Sequence, residues 1–173
     1  MMMDESALNI YQIAFHNYFI DIYWKKDLLP VKKIGFSTLK TDSYSSDLNP
    51  AVFHLVENIR NYLSGKKVSF TTEILDLSGI SNFSASVLKE LSEVKYGDVI
   101  SYRELSEKCG TSAVRAVGSV MAKNRFPLVY PCHRVIRSTG EIGQFAGGTE
   151  LKKLLLETEG LKFISADKIL INN

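Results

Sequence analysis

Ser101-Tyr102-Arg103-Glu104-Leu105-Ser106-Glu107-Lys108-Cys109-Gly110-Thr111-Ser112-Ala113-Val114-Arg115-Ala116-Val117-Gly118-Ser119-Val120-Met121-Ala122-Lys123-Asn124 reads as two short helices separated by a turn. Ser101 followed three residues later by Glu104 is a capping-box pattern, and Gly110 stops the helix it opens. Thr111 or Ser112 can cap the second helix, which runs to about Asn124. The arrangement predicts a helix-turn-helix. The second helix is unusually smooth, because Ala113, Ala116, Gly118, Ser119 and Ala122 are all small. Small side chains let a helix backbone approach another surface closely. Packing accounts for Val114, Val117 and Met121; it leaves Arg115, projecting from the flank, unexplained.

Upstream, Phe83, Val87, Leu88, Leu91 and Val94 form a helical stripe that ends near Gly97. Downstream come an apolar run at 126–130, a turn-rich stretch at 138–148, and a capped helix over about 149–158 followed by Gly160. Residues 1–80 have a different character. Tyr18, Ile20, Ile22 and Trp24 alternate with period two, and residues 8–15 and 31–39 suit neighbouring strands, with turns at His16-Asn17 and 25–30. A polar segment at 41–48 leads to a helix with Asn49 as N-cap and Pro50 in the first turn. Val52, Leu55, Val56, Ile59, Tyr62 and Leu63 share one of its faces, and Gly65 ends it. His54 lies off that face and reads as a surface histidine. Residues 68–77 read as a further strand.

The chain's 173 residues, 45% hydrophobic and 23% charged, suit an ordinary globular protein of one or two compact domains. No stretch approaches the ~18 apolar residues of a membrane span, and the acidic start Met1-Met2-Met3-Asp4-Glu5 is unlike a signal peptide, so a cytoplasmic protein (nuclear in a eukaryote) is expected. Cys109 and Cys132, with His16, His54 and His133, are too few for a disulfide framework or a zinc ribbon. The net charge of +2 is uneven. Residues 103–137 hold seven Lys/Arg against two Asp/Glu, an excess suited to phosphates or simply to a solvated basic face.

Pro131-Cys132-His133-Arg134-Val135 is the segment richest in chemistry. A thiol becomes a nucleophile when a base or cation stabilises its thiolate, and here an imidazole and a guanidinium follow it directly. Adjacent side chains usually diverge, so His133 would act through a water, with a carboxylate still needed to orient it. Cys109 reads as a buried structural thiol.

Ser101-Tyr102, Arg115-Ala116-Val117-Gly118, Met121, Asn124, the PCHRV segment, Gly140, Gly143, Gly147-Gly148 and 155–160 occur in that order. Over residues 81–160 the chain resembles the methylated-DNA–protein-cysteine methyltransferases, the O6-alkylguanine-DNA alkyltransferases. The resemblance implies an α/β (α+β) fold. A small β-rich ribonuclease-H-like domain would cover residues 1–80, and a mainly helical domain with a winged helix-turn-helix residues 81–173. It implies DNA repair by direct reversal: a single, irreversible transfer of the alkyl group from O6-alkylguanine, and from O4-alkylthymine, to Cys132.

In this resemblance His133 takes the thiol proton through a water, Glu159 holds His133, and Tyr102 donates to the purine. Asn124 and Arg134 support the active-site segment. Val135, Phe145 and Ala146 join Tyr102 in the substrate pocket. Arg115 takes the place of the extruded base, while Ala116, Gly118, Ser119 and Arg125 meet DNA in the minor groove, largely without sequence preference. The implied protein is a monomer without cofactor. Some relatives bind zinc through N-terminal cysteines; residues 1–80 contain none, so no metal is expected. Two positions depart from the pattern: Arg125 stands where proline is common, and Phe145-Ala146 where Tyr-Ser is frequent. Ala146 keeps its backbone N–H but lacks the hydroxyl. Three other readings compete: a non-catalytic alkyltransferase-like lesion binder, a helix-turn-helix regulator and a cysteine hydrolase.

Overall fold

The computed structural model describes residues 8–25, 28–41 and 48–170. The chain divides between Ser78 and Gly79 into two compact units. The start of the chain, most of the polar segment at 41–48 and the last three residues lie outside the described residues.

In the first unit, β1 (Leu8–Phe15), β2 (Tyr18–Lys25) and β3 (Leu28–Ser37) form an antiparallel sheet in the order β1-β2-β3. Phe15 pairs with Tyr18 across a two-residue turn in which His16 adopts a φ of 52°. The alternation in β2 puts Ile20, Ile22 and Trp24 in the core. β3 starts earlier than the hydrophobic pattern predicts, and Pro30 lies within it. A register irregularity around Tyr23–Lys25 and the outer position of β3 accommodate a residue without an N–H. α1 (Pro50–Leu63) begins at Asn49, whose side chain accepts from Ala51 N–H at 2.9 Å. Its buried stripe is Val52, Leu55, Val56, Ile59 and Tyr62. Arg60 anchors it to β1, donating to Tyr11 Oη at 2.6 Å. His54 is exposed.

The strand expected at 68–77 does not form. Only Leu75 makes a bridge, a parallel one to Val31, supported by Val31 N–H to Ile74 O at 2.6 Å and Asp76 N–H to Val31 O at 2.8 Å. Leu75 N–H bonds back to Thr72 O, so a turn replaces the extended run. The apolar positions 68, 70, 74, 75 and 77 do not keep one period-two phase, so no single face could be buried.

The second unit contains α2 (Asn82–Ser92), β4 (Ile100–Ser101), α3 (Tyr102–Lys108), α4 (Val114–Ala122), a 3₁₀ turn (Cys132–Arg134), β5 (Val135–Ile136) and α5 (Thr149–Thr158). It is the helical, winged helix-turn-helix part of the fold, with α3 and α4 packed together and both against α2. The capping box at α3 is complete: Ser101 Oγ accepts from Glu104 N–H at 3.1 Å, and Glu104 accepts from Ser101 N–H at 2.8 Å. α4 differs from expectation. Its N-cap is Ala113, with no side-chain cap, because Thr111 Oγ1 is engaged by Ala113 N–H two residues ahead of that position. Phe83 is exposed rather than part of the stripe, and Cys109, at the end of α3, is half-buried rather than buried.

Val87, Leu91, Leu105, Val117, Phe126, Leu151 and Leu155 are fully buried, each contributing about 1.5–3 kcal/mol as an apolar side chain that leaves water. Beyond α5 the chain folds back. Ile169 joins Ile136, Ile142 and Leu156 in a second cluster covered by Val99, Leu161 and Phe163. β4 and β5 pair in parallel, Ile100 with Val135 and Ser101 with Ile136, which sets the start of α3 beside the segment that follows Cys132. Among the described residues no helix is long and apolar enough to cross a membrane.

Candidate active site

Cys132, 5% exposed as a residue, opens the 3₁₀ turn and lines a cavity of about 250 Å³. Tyr102, Gly118, Met121, Ala122, Phe145 and Ala146 line the same cavity. Gly118 has open space where a Cβ would stand, so packing does not require a glycine there; its smallness leaves room on the cavity side of α4. A wider groove of about 630 Å³ between α2 and α3 is lined by five acidic side chains together with Lys95 and Lys108, and by no cysteine.

The loop leading to Cys132 is tied by one side chain. Asn124 accepts from Phe126 N–H at 3.0 Å and donates from Nδ2 to Tyr130 O at 2.8 Å and to Cys132 Sγ at 3.2 Å. Within that loop Leu128 adopts a φ of 73°, a left-handed conformation unusual for a branched side chain. Burial pushes the Cys132 thiol up, against the Asn124 hydrogen bond and the charge of Lys152. The resting group is therefore a thiol, and its use as a nucleophile requires a base.

The next two side chains turn the other way. His133 Nε2 lies 2.8 Å from Glu159 Oε1, and neither side chain is exposed. Arg134 donates to the same carboxylate from Nε at 3.0 Å to each oxygen and from Nη2 at 2.9 Å, while its Nη1 donates to Val94 O at 2.6 Å. Gly97 N–H completes the set at 2.9 Å from Oε2. Gly97 has a φ of +83°, and a Cβ there would stand 3.3 Å from Glu159 O, so this position favours glycine twice over. Burial alone would raise the Glu159 carboxyl, but hydrogen bonds and charge from His133 and Arg134 outweigh it and hold it at about 2. An ionised carboxylate only accepts, so Nε2 of His133 carries the hydrogen and Nδ1 the lone pair. Burial moves His133 down, against the pull of Glu159, which keeps the ring neutral.

Tyr102 is raised, first by burial and then by the neighbouring Cys132, so its phenol stays a donor. Phe145 meets the His133 ring edge-on at 6.4 Å. Val135, expected in the pocket, is instead fully buried in β5 and does not line the cavity. Arg115 and Ser119 are exposed on α4, Ala116 is half-buried, and Arg125 stacks on Phe126 at 5.3 Å. Cys132, Tyr102, Gly118, Phe145 and Ala146 thus meet at one cavity, while His133, Arg134 and Glu159 bond to one another outside its lining.

Several contributors were not assigned to the site from the sequence, although Met121, Ala122, Val94 and Gly97 were singled out there for other reasons. Met121, Ala122 and Gln144 line the cavity, and Val94 and Gly97 fix the Arg134–Glu159 pair. Lys152 is fully buried and donates to the carbonyls of Val135, at 2.7 Å, and Ile142; burial lowers it to about 8. Its signal was present, since it lies three residues before Leu155 and seven before Glu159, on the buried face of α5. Among the described residues no group of three or more His, Cys, Asp or Glu side chains could hold a metal ion.

Residues 82–161 match the family model of the 6-O-methylguanine DNA methyltransferase DNA-binding domain. A methylated-DNA–protein-cysteine methyltransferase of Methanothermobacter thermautotrophicus is 42% identical over 120 residues, covering 68% of each chain. One from Metallosphaera sedula is 39% identical over 112 residues, 65% of this chain and 70% of the other. Among solved structures, Mycobacterium tuberculosis OGT in complex with DNA superposes with a TM-score of 0.70 at 28% identity, covering 87% of this chain and 92% of the other. The O6-methylguanine-DNA methyltransferase of Pyrococcus kodakaraensis does so with 0.70 at 27%, covering 88% and 99%. The identity extends over two thirds of these relatives, and the chain belongs to the methylated-DNA–protein-cysteine methyltransferases.

Proposed function

We propose that this protein repairs O6-alkylguanine in DNA by direct reversal, with Cys132 as the single-use acceptor. The observation that carries the reading is a buried thiol at the wall of a small cavity, with Tyr102 in that wall and the buried His133–Glu159 pair beginning at the next residue. Sγ attacks the alkyl carbon in line: the S–C bond forms as the C–O6 bond breaks, and the electron pair passes to the purine. The thiol proton goes to Nδ1 of His133 through a water. Tyr102 donates toward the purine as negative charge develops there, the role of a preorganised donor. The product thioether has no easy route of hydrolysis, so each molecule reacts once. Alkylated O4 of thymine offers the same leaving chemistry in a smaller ring.

A cavity of about 250 Å³ takes one base, not a duplex, so the nucleotide rotates out of the stack at a cost of a few kcal/mol. Arg115, exposed on the smooth face of α4, fills the vacated place from the minor groove. The basic excess over 103–137 supports binding to phosphates with little dependence on sequence. The protein acts as a monomer.

Methylated duplex mixed with the protein adds one methyl mass to the peptide containing Cys132, with a burst of one alkyl group per protein. Repeated turnover would point to a hydrolase. An unmodified peptide with the guanine still methylated would sink the proposal, and preference for one undamaged sequence would favour a regulator.

A further inference from the structure

Arg134 sits at the back of the site, out of reach of the cavity, yet it makes three of the five hydrogen bonds that Glu159 accepts from it, His133 and Gly97. The guanidinium is itself pinned by Val94 O at 2.6 Å and lies over the Tyr96 ring at 6.0 Å. A fork held at both ends is more than a charge placed near a carboxylate. It fixes the plane of Glu159 and therefore the direction in which Glu159 holds the imidazole.

It also settles the charge balance around His133. Lys152 acts on the ring from α5, Glu159 from the residue that caps it and Arg134 from the ring's own segment, and Phe145 meets it edge-on without charge. Were Glu159 the sole charged partner, its anion would draw a proton onto the ring and hold it as imidazolium, which cannot accept another. With Arg134 bonded to both oxygens the carboxylate's charge is already answered, and a second cation in this buried place would add to Arg134 and Lys152 rather than neutralise anything.

We infer that Arg134 is a positioning residue for alkyl transfer: its fork neutralises Glu159 so that Glu159 orients His133 without protonating it, and the ring remains an uncharged base for the Cys132 proton. The inference rests on the repair reading above and adds to it a residue that never touches the substrate. Arg134 governs how much of the protein carries a usable base at a given pH. His133, not Arg134, meets the moving proton.

The test compares wild type, Arg134→Gln and Arg134→Lys, each reacted with O6-benzylguanine in single-turnover conditions across the acid and neutral range. Gln removes the charge; Lys keeps it and loses the fork. The acid limb of the rate profile in the Gln variant moves up by about one unit or more, so the rate on that limb falls roughly tenfold and recovers at higher pH. The Lys variant keeps the wild-type midpoint although it melts at lower temperature. A Gln variant slowed equally at every pH, or a Lys variant shifted as far as Gln, would overturn the inference in favour of a purely structural role. Should either variant fail to fold, ¹⁵N spectra of the wild-type protein decide. The inference requires a neutral His133 with hydrogen on Nε2 at neutral pH, and an imidazolium there refutes it. A wild type that takes up neither benzyl nor methyl overturns the repair reading itself, whatever the spectra report.

Discussion

Each unit of this protein encloses an acid answered by a base, and the two are put to different uses. In the first, Asp76 pairs with Lys32 and accepts from Ser78 N–H at 2.9 Å; the two side chains are 11% and 17% exposed. Burial alone would raise the Asp76 carboxyl, but these bonds outweigh it and hold it well below the usual carboxylate range. The pair fastens the chain after Leu75 to β3. In the second unit Glu159 and His133 are wholly buried, and Arg134 nearly so. There the carboxylate reaches an imidazole whose sequence neighbour is a thiol at a cavity wall. In the first unit the ion pair is a fastening; in the second it takes in a third group, His133, next in sequence to the thiol.

The severest way to break this contrast is Cys132→Ala, which should reduce alkyl transfer to background while DNA affinity stays within about twofold, since phosphate contacts carry the binding. Mass analysis of the protein after methylated duplex, alongside a gel-shift titration, checks both halves. Glu159→Gln should come next. It leaves Arg134 without its counter-charge and should cost about 3–5 kcal/mol in stability. It should also slow transfer roughly 10²-fold or more by releasing His133, near the lower end of what a general base supplies. Chemical denaturation and single-turnover labelling measure the two effects separately.

Arg115→Ala sharpens the comparison from the DNA side. Transfer from methylated duplex should fall roughly ten- to hundredfold, because the cost of extrusion loses its offset, while labelling by free O6-benzylguanine changes by less than about twofold. Equal losses on both substrates would remove Arg115 from base extrusion. The smallest effect belongs to Asp76→Asn, about 1–3 kcal/mol of stability with no change in labelling by the free base. Because the folded Asp76 and Glu159 are both depressed, their contributions are fully present above the unfolded carboxylate values. They are lost as pH falls through the acid range, toward about 2 for Glu159. The Asn variant should therefore show a shallower acid-side loss than wild type in melts run between about pH 5 and 2. An unchanged slope would mean that the Lys32 pair contributes nothing.

Much of this was legible from residues alone, where the signal is local and periodic. Ile20, Ile22 and Trp24 alternate and are buried together, Asn49-Pro50 starts α1, and the Ser101–Glu104 box starts α3. The reading at 68–77 failed because composition favoured a strand and the phase of its apolar residues did not, and a turn at 72–75 prevailed. Thr111 and Ser112 were equally plausible caps, and the choice fell on neither, since the Thr111 hydroxyl closes its own local turn. The resemblance implied Val135 as a pocket residue, but it pairs with Ile100 in the parallel ladder and is fully buried.

What the sequence determined by itself is the set of reagents: a thiol, an imidazole and a guanidinium in succession, a smooth helix bearing one arginine, and a basic surround. Such features rest on neighbouring residues and helical or strand periods, which need no knowledge of distant contacts. Only the tertiary structure decided how the reagents are wired. Glu159 meets His133 across 26 residues, Gly97 meets Glu159 across 62, and Lys152 loses its water to two carbonyls. Those partnerships form because packing of α5 removes the groups from water together, and a buried charge must find whichever partner the fold has left within reach.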